Sequence, residues 1–363
     1  MFNSQSRLRQ ISVLAAAMTL SAAAVHGQSK TSNIGKDPLK VTVTDADRSS
    51  AASAVRVYKH AYYARTSAGR AARNLAATSR RATAASAPGA ALRVDGDDFT
   101  QNPGDVAYGG GPTVQYAVSQ AVYINPGGEC VIAACWGDPE YFLDKIGKSN
   151  FIHILDQYVG IESGQRYTLG PSIEIPAALP SNPLSESDLI AILHAVVAST
   201  GAGGYGNIYH LFLPPGVDTC FDAPYGNECY SPGDPATFAF CAYHDSVTFS
   251  DLGQHVLFTI EPWQGPGSGC EDSPIGAPNS QLIDSTDDTL SHELNETISD
   301  PDGNAWLNTA DLSLDGNEIE DECLFIGPDN YFVEPTLRMD GHLFRVQSGY
   351  SNKKHACAIS EHE

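Results

Sequence analysis

The chain has 363 residues, of which 43 are Asp or Glu and 21 are Lys or Arg, so its formal net charge at pH 7 is −22. The charge is unevenly distributed, because residues 96–363 contain 39 of the acidic residues and only 7 of the basic ones. A surface with this excess of carboxylates repels nucleic acid and anionic membranes and attracts cations. We therefore expect no nucleic-acid partner for this part of the chain.

Residues 1–27 have the pattern of a secretory signal peptide. Arg7 and Arg9 precede the apolar run ISVLAAAMTLSAAAV, and small residues near Gly27 provide a cleavage site. The run is shorter than the ~20 residues that a membrane-spanning helix needs. We predict an exported protein, secreted to the extracellular space or the periplasm, with no membrane contact after signal cleavage.

Residues 28–95 are rich in Ala, Arg and Ser. Few large apolar side chains are present in its second half, so we predict a basic leader or pro-segment that is largely disordered. The stretch from residue 40 to 64 retains the pattern of a short strand and a helix. Two roles remain open for the segment. It is either a solvated linker or a pro-segment that docks on the acidic part by charge and is cut at the sequence SRRAT.

Residues 96–363 are predicted to form one acidic domain of the mixed α/β class, with a mixed sheet and a metal-binding helix packed on one face. A capping Ser185 with Asp188 three residues later marks the clearest helix. Strand patterns occur at residues 112–124, 208–214, 238–247, 255–263, 331–335 and 342–350, and helical spacing occurs at residues 140–160, 185–200 and 285–300.

All eight cysteines lie in this domain. An even number of cysteines in an exported chain predicts disulfides, here four. A thiolate metal site is disfavoured because the sequence contains no C-x-x-C pair. Local spacing favours the pairs Cys130–Cys135, Cys220–Cys229, Cys241–Cys270 and Cys323–Cys357.

The segment DTLSHELNETISDP contains the motif that carries most of the chemistry. Ser285 and Asp288 resemble a capping box, and Pro301 predicts the end of the helix near Asp300. His292 and Glu296 are four residues apart, so they lie one turn apart on the same face of a helix. Leu290, Leu294 and Ile298 form an apolar stripe on the opposite side.

This spacing is typical of hydrolases in which a helix supplies two metal ligands. His292 and Glu296 would bind the ion, and Glu293 would act as general base by accepting a proton from water. Because Glu296 replaces the second His of the zinc motif, the preference shifts from Zn²⁺ toward Mn²⁺ or Ca²⁺. The alternative is an ordinary acidic helix whose polar face meets solvent.

Further ligands are expected from elsewhere in the chain. Glu318 and Asp321 lie in the acidic stretch DGNEIEDEC and are candidates for the third metal ligand, and His244 is a candidate ligand or transition-state donor. Alternatively, Asp315, Asn317 and Glu318 of the same stretch bind Ca²⁺ in a structural loop of oxygen ligands. Asp300 and Asp302 are weaker candidates.

The chain contains, in this order, the motifs YGGGP, FCAYH, LSHELNETISDP, GNAW, NEIEDEC and LFRVQSGYSN. This set of motifs resembles that of the Exordium, or phosphate-induced protein 1, family. The resemblance spans about Tyr108 to Cys357. It implies an extracellular protein linked to growth, in a family without a settled biochemical activity. The matching positions include His244, His292, Glu293, Glu296, Asn304, Trp306, Glu318, Asp321 and Cys323.

Two functions therefore remain open. The first is a secreted metallohydrolase of the zinc-peptidase type, which acts on an extracellular peptide or a cell-wall polymer. The second is a non-catalytic extracellular binding or signalling protein in which the same residues form a structural metal site or a polar cluster. Glu293 favours the enzyme, because a structural site does not need a general base. The sequence carries no signal for an oligomeric state.

Overall fold

The computed structural model describes residues 37–64, 66–84, 104–160, 166–223, 226–309, 316–324 and 335–360. The predicted signal peptide and most of the predicted strand at 331–335 lie outside these ranges. No helix in the part of the chain that the structure describes has the length and apolar content to cross a membrane.

The described residues form helices and strands in alternation. The helices are α1 (Asp45–Ser53), α2 (Ser67–Ala84), α3 (Pro139–Ile146), α4 (Asp156–Val159), α5 (Glu186–Thr200) and α6 (Gln281–Ser299). The strands are β1 (Leu39–Lys40), β2 (Val55–Tyr63), β3 (Ala107–Tyr108), β4 (Ala117–Ile124), β5 (Tyr167–Leu169), β6 (Ile173–Ile175), β7 (Leu184–Ser185), β8 (Asn207–Phe212), β9 (Thr219–Ala223), β10 (Gly226–Tyr230), β11 (Phe240–Phe249), β12 (Gln254–Glu261), β13 (Trp306–Leu307), β14 (Thr336–Met339), β15 (His342–Arg345), β16 (Gly349–Ser351) and β17 (Ala356–Ala358).

The largest sheet is mixed, which confirms the predicted fold class. Its strand order is β1-β6-β4-β8-β12-β11-β2, and β5 pairs with β4 beside this path. The pairs from β1 to β12 are parallel, whereas β12–β11 and β11–β2 are antiparallel. β2 therefore lies at one edge of the sheet.

Two apolar cores lie on opposite faces of this sheet. Alternate residues of β4 show the division, since Val122 and Ile124 pack with α5 while Ala121 and Tyr123 pack with α3 and α6. The molecule thus has helices on both faces of a mixed sheet, and α6 covers the face toward which the side chain of His244 points.

Helix α6 begins earlier than predicted and ends where predicted. Ser280 caps it by accepting a hydrogen bond from the amide of Ile283, so the predicted start at Ser285 was wrong. Ser285 instead donates to the carbonyl of Gln281 and accepts from the amide of Asp272. Residues 284–299 are buried on every side of the helix. The expectation of an acidic helix with a solvent-facing side is therefore wrong.

The helical pattern at 140–160 is divided into α3, a 3₁₀ turn over Phe151–Leu155, and α4. Gly147 ends α3 where the chain passes close to β5. A Cβ atom at this position would lie 1.9 Å from the carbonyl oxygen of Tyr167, so no other residue fits without a shift of the backbone. Helix α5 has the predicted capping box between Ser185 and Asp188.

The N-terminal segment departs most from the sequence-based expectation. The helix and strand expected within residues 40–64 are present as α1 and β2, whereas residues 67–84, which were expected to be disordered, form α2. β2 pairs along its length with β11, and Ala61 and Tyr63 enter the core beside α5. The folded unit therefore includes residues that precede the predicted boundary at 96.

The four disulfides are those that local spacing predicted. Cys130 pairs with Cys135, Cys220 with Cys229, Cys241 with Cys270, and Cys323 with Cys357. The structure describes all eight cysteines as paired. Four disulfides fit a protein that matures in an oxidising compartment.

His194 of α5 links the N-terminal segment to the rest of the fold. Its Nδ1 lies 2.7 Å from Asp47 of α1, and its Nε2 lies 2.9 Å from Asp251. Burial tends to raise the pKa of Asp47, but hydrogen bonds from Thr44 and His194 outweigh it and lower that pKa. Hydrogen bonds, first from Ser50, also lower the pKa of Asp251.

These lowered pKa values predict a loss of stability in acid. A carboxyl whose pKa is depressed in the folded state stabilises that state above its unfolded pKa, near 4, and this stabilisation is lost as the pH falls through the folded pKa. In urea unfolding between about pH 5 and pH 2, wild type should therefore lose stability more steeply than Asp47→Asn. Parallel curves for the two proteins would contradict this linkage.

Candidate metal centre

Three imidazoles and three carboxylates meet between α6 and the edge of the sheet. We call them the central cluster: His60 of β2, His244 of β11, His292 and Glu296 of α6, and Glu318 and Asp321 of the acidic segment 316–324. The most exposed members are Asp321 at 6% and His60 at 3%, and the other four are fully buried. The cluster is therefore closed to solvent.

Two overlapping groups of possible metal ligands lie in this cluster. One consists of His60, Glu296 and Asp321, and the other of His244, Glu296 and Glu318, with the ligand atoms of each group within 4.8 Å of one another. Nδ1 of His60 and Nε2 of His244 each lie 3.5 Å from Oε1 of Glu318. Atoms so placed could hold a metal ion. Because Glu296 belongs to both groups, it could bind one ion or bridge two.

His292 lies beside the same carboxylates. Its Nε2 is 3.1 Å from Glu296 and 3.9 Å from Asp321. On its other side, Nδ1 lies 3.0 Å from Oε1 of Gln347, which is oriented because its amide nitrogen donates to the carbonyl of Glu320. With Nδ1 as the donor, a neutral ring presents the lone pair of Nε2 to the cluster, as metal-binding histidines do.

Glu293 belongs to neither group of ligands, but its carboxylate adjoins them. Its Oε2 lies 3.2 Å from Nδ1 of His244, and its Oε1 makes no hydrogen bond within the described residues. Burial raises the pKa of Glu293 well above its ordinary value; the charge of His292 opposes this shift, while Glu296 and Glu261 add to it. A carboxylate with a raised pKa can accept a proton from water more readily than an exposed one.

Burial and neighbouring charges shift the pKa values of the cluster residues in different directions. Burial lowers the pKa of His244 well below its ordinary value, and His60 and His292 lower it further. Burial also acts to lower the pKa of His292, but Glu296 and other carboxylates outweigh it and raise that pKa. Burial acts to raise the pKa of Asp321, whereas the neighbouring His60 holds it below its usual range. Buried carboxylates in such number require a cation or bound protons.

The acidic segment 316–324 is fixed in place from two sides. The disulfide Cys323–Cys357 ties it to β17. On the other side, the backbone amide of Asp321 donates to Oε1 of Glu296 at 3.1 Å. The positions of its carboxylates are therefore set by the disulfide as well as by the helix.

The structure brings together all six residues that the sequence analysis predicted for the site, namely His244, His292, Glu293, Glu296, Glu318 and Asp321. Sequence reasoning missed His60, which lies in the leader that was expected to stand apart from the acidic domain. The stretch VRVYKHAYYA alternates in the manner of a strand, and this pattern was the available signal.

The two weaker candidates have other partners. Asp300 accepts hydrogen bonds from the backbone amides of residues 304–305, which closes the turn after α6. Asp302 accepts hydrogen bonds from Ser246 at 2.7 Å and from His255 at 3.0 Å. Asp315, a possible Ca²⁺ ligand, lies outside the described residues.

No family model, curated protein or solved structure matches this chain in the three comparisons that we made. The resemblance to the Exordium family therefore stays a prediction from the motifs.

Proposed function

We propose that the chain is a secreted metal-dependent hydrolase of the peptidase type. The observation that carries the proposal is the buried carboxylate of Glu293 beside two groups of ligand atoms to which it does not belong. Through its contact with His244, Glu293 can orient that imidazole in either kind of site, but a structural site has no use for a group that accepts a proton beside the ion. A general base needs that position.

The proposed ligands favour zinc. His244, Glu296 and Glu318 offer one nitrogen and two carboxylates, and His292 can add the second nitrogen that catalytic zinc sites with two His and one Glu contain. Ca²⁺ prefers six to eight oxygen ligands, so imidazoles disfavour it, whereas Mn²⁺ tolerates this mixture. When bound, the ion would polarise a substrate carbonyl and lower the pKa of water. Glu293 would then accept the proton of that water.

A second candidate follows from the closed state of the cluster. Because its members are at most 6% exposed, the same residues could form a structural metal site in an extracellular binding protein of the Exordium type. In that case bound metal would stabilise the fold without supporting hydrolysis.

Elemental analysis of the purified chain tests the metal site. We expect wild type to contain one or two zinc or manganese ions per chain, and the count distinguishes a single ion from a bridged pair. Glu296→Gln should lose bound metal because both ligand groups share this residue. Glu293→Gln is the matched control, since it removes a neighbouring carboxylate and should retain the metal. A metal-free wild type that is fully folded would contradict both candidate functions of the ion.

A further inference from the structure

Strand β2 occupies a position that an extended peptide would need. It lies at the edge of the sheet and runs antiparallel to β11, with His60 opposite His244. Without β2, the hydrogen-bonding groups along this side of β11 would form an open edge. Proteins bind extended peptides by adding them as a strand to such an edge, with affinity from main-chain hydrogen bonds.

The side chains of β2 also cover the central cluster. Nε2 of His60 makes a close contact with Asp321, and Nδ1 lies 3.5 Å from Glu318. Two residues later, the ring of Tyr62 stacks on His292 with 4.5 Å between centroids and 9° between planes. A substrate carbonyl has to reach Glu293 and the ligands, and in this arrangement β2 takes that space.

The segment that includes β2 is held by complementary charge. Residues 37–84 contain nine Lys or Arg and three Asp. Four of the basic residues pair with carboxylates beyond residue 96: Lys40 with Glu174, Arg48 with Asp188, and both Arg56 and Lys59 with Glu186. Arg73 of α2 is close enough to Asp321 and Glu322 for their charges to act on its pKa. Salt weakens the exposed pairs of Lys40 and Arg48, whereas the pairs to the buried Glu186 and the apolar contacts of Ala61 and Tyr63 persist, so release of the segment also requires these contacts to open.

From these contacts we infer that residues 37–84 are an inhibitory segment, in which β2 holds the place of an extended polypeptide substrate and His60 takes a ligand position. The inference rests on the proposed hydrolase function and names its substrate class: a polypeptide that pairs antiparallel with β11. While the chain is continuous, the segment is present at a high effective concentration and excludes substrate.

Activation then requires one cut. An endopeptidase that cleaves after basic residues would hydrolyse the bond after Arg81, consuming one water and leaving a carboxylate on Arg81 and an amino group on Ala82. The basic segment would then be free to dissociate. The edge of β11 and the cluster would become accessible together.

The test uses the full chain with a site for a sequence-specific endopeptidase introduced between residues 85 and 103, outside the described contacts. Zinc-loaded protein is cut, and the N-terminal fragment that contains residues 37–84 is separated in 1 M NaCl with urea below the concentration that unfolds the protein. Hydrolysis of fluorescently labelled casein, metal content and circular dichroism are measured before and after. We expect uncut protein to be at least about 100-fold slower than the separated protein.

Adding the fragment back tests the role of His60. A synthetic 37–84 peptide should inhibit the cut enzyme, and the peptide with His60→Ala should require about a tenfold higher concentration, because its contacts to charged groups are lost. Lys40→Ala is the matched control, since Lys40 lies far along the segment and pairs with Glu174. It should inhibit nearly as well as the unchanged peptide.

Each contrary result has a distinct meaning. If uncut protein hydrolyses casein as fast as cut protein, the inhibitory role is wrong and the hydrolase stands. If separated protein keeps its metal and fold but hydrolyses no casein, the proposed function fails and the inference fails with it. If removing the fragment destroys the circular dichroism of the fold, β2 is an integral strand, and the inference is overturned.

Discussion

Replacing Glu293 by Gln is expected to lower the rate of peptide hydrolysis by about 10²–10⁴-fold, the contribution that a well-placed general base makes. Gln has nearly the same shape as Glu and can still contact His244, but it does not accept a proton from water. We would measure kcat for the hydrolysis of labelled casein, and the zinc content, for wild type and Glu293→Gln. Both proteins are first cut and separated from the N-terminal fragment. We expect the zinc content to be unchanged, because Glu293 belongs to neither ligand group.

Asp284→Asn is the matched control for this variant. Asp284 is also a fully buried carboxylate of α6, but it lies in the first turn and accepts hydrogen bonds from Asn279. Its replacement should leave kcat within a few-fold of wild type. If Glu293→Gln retains both its metal and a wild-type kcat, Glu293 is not the base.

Removal of the metal with a chelator is expected to lower the thermal midpoint of unfolding by roughly 10 °C. An ion present at about 1,000 times its dissociation constant stabilises the folded state by about 4 kcal/mol, and each kcal/mol shifts the midpoint of a large domain by a few degrees. The physical reason is that the carboxylates of Glu296, Glu318 and Asp321 remain buried when the ion leaves.

Calorimetry of wild type with and without chelator measures this shift, and Glu296→Gln provides the control. That variant lacks the carboxylate that both ligand groups share, so its midpoint should be low and insensitive to the chelator. An unchanged midpoint for wild type, after elemental analysis has shown that the metal is gone, would argue against an ion in the cluster.

Several features of this protein follow from the sequence alone, because they depend on neighbours along the chain. The four disulfide pairs were predicted by spacing, and the structure confirms them. The end of α6 before Pro301 and the capping box at Ser185 also follow from local backbone chemistry. His292 and Glu296 approach each other to 3.1 Å because they are one helical turn apart.

Other local signals were outweighed by contacts made at a distance. Ser285 looks like a helix cap in the sequence, but it hydrogen-bonds within the helix and to Asp272, so the cap is Ser280. The polar face of α6 suggests exposure, yet the sheet and the acidic segment 316–324 bury it. Composition predicted disorder from residue 66 onward, yet residues 67–84 form α2, of which Ala72 and Ala76 pack in the core with residues of β2.

The sequence by itself therefore determined the composition of the site, with His244, His292, Glu293, Glu296, Glu318 and Asp321 all recognisable as candidates. Only the tertiary structure decided that His60 joins them. His60 and His244 are directly opposite in the register of β2 and β11 although 184 positions separate them in the chain. Register between distant strands is set by the packing of the whole sheet and by the charges that hold β2 at its edge, and no pattern within either strand contains that information.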